Sequence, residues 1–136
     1  MKEPNTGLRR KLAHLMLVTL MIAATVAADQ ANAQDNTEIA KATDAVRNVG
    51  KEGAGFAQAI PAAKRLRQTS VAKIDLLLDA MAETNPVAEN WLRGIVFDIA
   101  RKSPQSSGAK LQSYAMDQSN NPTGRGLAME LLQQAD

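Results

Sequence analysis

The chain has 136 residues, 45% hydrophobic, 22% charged and only 3% aromatic, which suits one domain with a modest core. Of its 16 Lys and Arg residues, Lys2, Arg9, Arg10 and Lys11 precede residue 34, as do Glu3 and Asp29 among the 14 acidic ones, so the signs balance at 12 each from Gln34 onward. That balance speaks against a nucleic-acid partner, which needs basic charge concentrated on the folded part. There is no Cys and the sole His is His14, so the chain after residue 33 holds no disulfide, thiolate nucleophile, Cys/His zinc site or Ser-His-Asp triad.

Met1 to Lys11 is polar and ends in Arg9-Arg10-Lys11, and Leu12 to Ala28 is apolar and free of formal charge. Ala31 and Ala33 then place small residues where a signal peptidase reads them, which predicts a secretory signal peptide over 1–33, cleaved before Gln34. The apolar run is at the lower limit for crossing a bilayer, so cleavage is preferred to an anchor and the membrane is met only in transit. Arg9-Arg10-Lys11-Leu12 loosely resembles a twin-arginine signal, but the strongly apolar stretch favours general secretion. The expected location is therefore secreted or periplasmic.

Residues 34–136 read as six short helices. The first carries Ile39, Ala42, Val46 and Val49 on one stripe, with Gly50 as its expected stop. The second uses Phe56, Ile60, Ala63 and Leu66, with Pro61 either breaking it or marking a late start. Ser70 is an N-cap for the third, which runs through Val71, Ile74, Leu77, Leu78 and Met81. Asn85-Pro86 opens the fourth, with Val87, Trp91, Leu92, Ile95, Val96 and Ile99 as its apolar set and Arg101 and Lys102 complementing the helix dipole at its end. Residues 103–108 read as a flexible connector, followed by a short fifth helix with Leu111, Tyr114 and Ala115. Asn121-Pro122 opens the sixth, where Gly124 and Gly126 cost about 1 kcal/mol each against Ala. No stretch alternates as a strand does, so the fold class is all-α.

Sliding the chain on itself brings Ile39, Val46, Phe56 and Ile60 onto Ile74, Met81, Trp91 and Ile95 at an offset of 35. Asn85-Pro86, Trp91, Leu92, Ile95 and Val96 fall onto Asn121-Pro122, Leu127, Ala128, Leu131 and Leu132 at 36, and Ile74, Leu77 and Leu78 meet Leu111, Tyr114 and Ala115 at 37. Three helix-turn-helix units with this period predict a helical solenoid, each unit burying its apolar face on the next, in preference to an irregular bundle whose amphipathic helices align by chance. Phe56, Trp91 and Leu127 would hold matching places between layers, with Trp91 an anchor between units.

Met116-Asp117 through Asn121-Pro122, with Arg125, Ala128 and Leu131-Leu132, resembles a HEAT-type repeat. Pro86, Trp91, Ile95 and Val96 are similar, although Glu89 stands where that pattern has Arg. The likeness spans roughly residues 70–136 and implies a short right-handed stack of about three helix pairs, a fragment of a HEAT-like α-solenoid. It further implies a binding surface for a protein partner or for further repeats of the same chain, with no catalytic residues, no cofactor and no metal. The last apolar face would need a cover, such as a second copy in a homo-oligomer. The alternatives are an N-terminal or accessory helical domain of a larger exported enzyme, or a structural envelope component.

Two charged groups are candidate interaction surfaces. Asp75, Asp79 and Glu83, four residues apart, form an acidic stripe suited to a cationic peptide or a divalent ion. The simpler reading is a solvated face opposite the apolar one, since an oxygen cage normally draws ligands from a loop as well. Lys64, Arg65 and Arg67 end the second helix, where a phosphate or an acidic partner would dock, and where cations equally serve the helix dipole.

Overall fold

The computed structural model describes residues 30–134. The chain divides into two compact units, Met1–Thr37 and Glu38–Asp136. In the first, the described residues, 30–37, are helical and exposed, Ala31, Ala33 and Gln34 among them, and the Thr37 hydroxyl donates to the Ala33 carbonyl at 3.0 Å. The charged and apolar stretches of the expected signal peptide lie outside the described residues.

The second unit is helical throughout, with no strand among the described residues. Helix α1 covers residues 38–47 and buries Ile39, Ala42 and Val46, with Val49 buried just beyond it. It stops before Gly50, as expected, though Gly50 has an extended backbone (φ −126°) and its N–H donates to the Ala54 carbonyl. Gly55, in contrast, has φ +78°, and a Cβ there would lie 2.7 Å from the Asn48 carbonyl oxygen. This glycine lets the chain turn tightly into the next helix.

Helix α2 is Phe56–Leu66 and contains Pro61 without breaking. Pro61 and Ala57, whose carbonyl loses its helical donor to the ring, are both exposed, so water can satisfy the freed oxygen. The buried stripe is Ala59, Ala63 and Leu66, whereas Ile60 is 59% exposed. Ile60 is thus a correction: one residue of helical rotation lets small alanines face the core instead.

The Ser70 hydroxyl accepts from the Ala72 N–H as expected of a cap, but the turn it opens, Val71–Lys73, is 3-10. The α-helical part, α3, is only Ile74–Asp79, and it inserts Ile74, Leu77 and Leu78 fully into the core. Met81 is buried in the turn that follows.

Helix α4, Pro86–Lys102, is the longest of the second unit and supplies Leu92, Ile95, Val96 and Ile99 to the core. Helix α5, Pro104–Met116, begins after a single intervening residue, Ser103. The expected flexible connector over 103–108 is therefore helix. Pro104 suits the first helical position, and the buried Ser107 hydroxyl bonds the carbonyls of Ala100 (3.1 Å) and Ser103 (2.8 Å), tying the two helices at their corner. Helix α6 is Pro122–Gln133.

Helix α5 packs most closely on α6; α3 packs on α4 and on α6 and also touches α5, while α4 touches α2, α5 and α6. Trp91 is only partly buried and lies against Phe56, ring centroids 5.3 Å apart at 54°, whereas Leu127 is in the core. The aromatic pair closes an edge of the core rather than its centre. The outer residues of α5 and α6 include Gln112, Ser113 and Gln133, and the large apolar side chains exposed on these helices are Met116 and Met129.

Candidate binding surface

The three acidic positions do not form one stripe. Helix α3 ends at Asp79, and Glu83 sits beyond it in a left-handed conformation (φ 55°). Asp75 faces the Lys110 ammonium at 3.5 Å and Asp79 accepts the Tyr114 hydroxyl at 2.5 Å, so both carboxylates are occupied by α5. No group of three His, Cys, Asp or Glu residues among the described residues is placed to hold a metal ion.

The Tyr114 phenol is a joint between three elements. Besides Asp79 on α3, it accepts from Asn121 Nδ2 at 3.0 Å, and that amide also donates to the Leu78 carbonyl at 2.8 Å. Burial, then the Asp79 hydrogen bond and the charges of Asp79 and Asp75, push the phenol pKa well above its ordinary value, so the group stays protonated and has no use as a base. Near it, Asp117 caps its own turn: the Ser119 hydroxyl and backbone N–H both donate to it and hold its carboxyl below the usual range.

The basic residues at the end of α2 also find separate places. Arg65 pairs with Glu38 at 2.8 Å, Arg67 pairs with Asp98 at 2.6 Å, and Lys64 is exposed. Of these, Arg67 belongs to a larger basic region built where α2 and α4 end and α5 begins. There Lys102 donates to the Arg67 backbone carbonyl, and the Arg101 guanidinium lies 5.4 Å from the centre of the Phe97 ring. Both acceptors are neutral, so neither cation loses its charge to a carboxylate.

Two clefts flank the α4–α5 corner. One, of about 510 Å³, has Val71, Ala72 and Ile99 among its apolar lining and Ser70, Ser106, Lys102 and Lys110 among its polar groups. The other, of about 400 Å³, is more apolar, with Phe97, Leu111, Leu131 and Leu132 in its walls and Arg101 beside them. The contribution of Lys102, Ser106 and Lys110 was hidden from the sequence because they come together only once residues 103–108 are folded as helix. The one available signal was Pro104 after Ser103, which suits a helix start as well as a connector.

Comparisons with protein-family models, with curated proteins and with solved structures find no match. The functional reading therefore rests on the surface itself. It offers exposed ammonium groups, hydroxyls and an apolar floor.

Proposed function

We propose that this chain is an exported, non-enzymatic module of HEAT-like helix pairs, stacked right-handedly, whose work is to bind a protein partner. The observation that carries the reading is that five of the hydrogen bonds between these helices span 35 to 37 residues, close to the sequence period, beside others that span 31 to 43. Arg47 donates to the Ala82 carbonyl, Lys110 to Asp75 and Tyr114 to Asp79, each 35 residues apart; Asn85 donates to the Val49 carbonyl across 36, and Arg93 to Glu130 across 37. A repeat stacked on its neighbour puts equivalent positions in contact, so a sequence period turning up as a contact period is what a solenoid requires.

The leader pattern around Ala31, Ala33 and Gln34 supports export. The intact mass of the exported chain should correspond to a start at Gln34, and a mass that includes Met1 overturns cleavage. For the binding role, affinity capture from an envelope extract should return one stoichiometric partner. Turnover of a substrate by the isolated chain would instead place it among enzymes.

A further inference from the structure

We propose that the cleft between the 3-10 turn Val71–Lys73, the end of α4 and the start of α5 is the docking site for an acidic segment of the protein partner. The inference rests on the protein-binding reading above and names the chemistry of what is bound.

Three independent features converge on the cleft. First, Lys102 is held at its rim by a backbone carbonyl, leaving two ammonium donors and the full charge available, and Lys110, paired with Asp75 at 3.5 Å, stands beside it with further donors of its own. Second, α5 starts with no side-chain cap and no acidic residue in its first turn, although that end of a helix favours negative charge. Ser106, in that turn, lines the cleft. An incoming carboxylate would supply what the helix lacks. Third, Val71, Ala72 and Ile99 give the cleft an apolar floor, which suits a chain alternating carboxylates with aliphatic side chains better than a uniformly polar polyanion.

The surroundings extend the same preference. Arg101, without a carboxylate partner among the described residues, adjoins Lys102, and both help line a shallower hollow with Arg67 and Asp98. The residues from Gln34 onward balance in charge, and the cations at this end are interspersed with Asp98 and Asp75, so the basic surface is small. That favours a short acidic segment over a long nucleic acid or a membrane face, each of which asks for a wide basic surface.

The test is titration of the full chain with a short synthetic peptide alternating glutamate and leucine, and with its glutamine-for-glutamate counterpart. The acidic peptide should bind, more weakly as salt is raised, and the glutamine peptide should bind at least about tenfold more weakly. Lys102→Glu should weaken the acidic peptide by about tenfold or more, whereas Lys51→Glu, exposed and outside the cleft, should leave it unchanged. Ser106→Glu is the variant that guards against misfolding: a carboxylate in the first turn of α5 suits the helix dipole and yet occupies the site, so it should abolish binding while the thermal transition is kept.

The proposal fails if the acidic peptide does not bind at millimolar concentration, if the glutamine peptide binds equally, or if Ser106→Glu binds as the parent does. Tighter binding to anionic phospholipid vesicles or to inorganic phosphate also overturns it. A captured partner that binds Lys102→Glu and Ser106→Glu undiminished refutes this cleft and leaves the protein-binding role standing. A chain that binds the acidic peptide at the cleft but retains no stoichiometric partner refutes the role instead.

Discussion

The Asn85-Pro86 and Asn121-Pro122 turns begin their helices alike, with Pro at the start and the Asn carboxamide oxygen on backbone N–H groups of the first turn. They reach back differently. Asn85 Nδ2 holds one carbonyl, that of Val49, and the turn leading to it contains Glu83 in a left-handed conformation. Asn121 Nδ2 bonds both the Leu78 carbonyl and the Tyr114 hydroxyl, Tyr114 bonds Asp79, and Gly124 brings α6 against the α3 backbone. A local signal that is the same twice starts a helix in both places, and the neighbours decide how firmly that helix is fastened.

The sharpest way to break the comparison is Gly124→Ala. A Cβ there would lie 2.5 Å from the Leu78 carbonyl oxygen, which is backbone and cannot swing aside. A loss of about 3 kcal/mol is expected by denaturant titration, with an unchanged slope showing that the fold is kept. A loss within experimental error would mean that α6 does not approach α3 so closely.

Next in size are the two caps. Asn121→Ala should cost about 2 kcal/mol and Asn85→Ala about 1 kcal/mol, because beyond the cap the first loses bonds to both the Leu78 carbonyl and the Tyr114 hydroxyl and the second only the one to the Val49 carbonyl. Equal losses would show that the second turn is no better fastened than the first. Tyr114→Phe should cost about 1 kcal/mol, and it should also alter the alkaline limb of stability. The folded phenol holds its proton beyond its ordinary value of 10.0, so the unfolded chain releases a proton first as pH rises through that value. Stability present below it is lost above it, and the Phe variant should lack that decline when unfolding is followed at high pH.

The smallest effect is a control. Gly126, two residues from Gly124 on the same helix, has open space where its Cβ would be. Gly126→Ala should raise stability by about 0.5–1 kcal/mol. The opposite signs expected at Gly124 and Gly126 cannot come from helix propensity, which is the same for both.

Most of the apolar spacing, the two Asn-Pro turns and Ser70 as a cap were legible in the sequence. Each is a local rule of backbone chemistry or of side-chain period. What was misread depended on packing. Ile60 gave way to Ala59 because the alanines face the core, α3 proved too short to carry Asp75, Asp79 and Glu83 as one stripe, and Ser107 folded into α5 through carbonyls of the preceding helix. The basic cleft was illegible for the same reason, since Ser70, Lys102 and Lys110 become neighbours only when three elements meet.

The amino-acid order by itself determined that the described chain is helical and where most of its helices begin, because these follow from side-chain period and from which residues can cap a helix. Only the tertiary structure decided which glycine is indispensable, which charges are neutralised and where the free ones gather. Those depend on the distance between backbones and on the few ångströms separating one charge from another, quantities set by packing between helices.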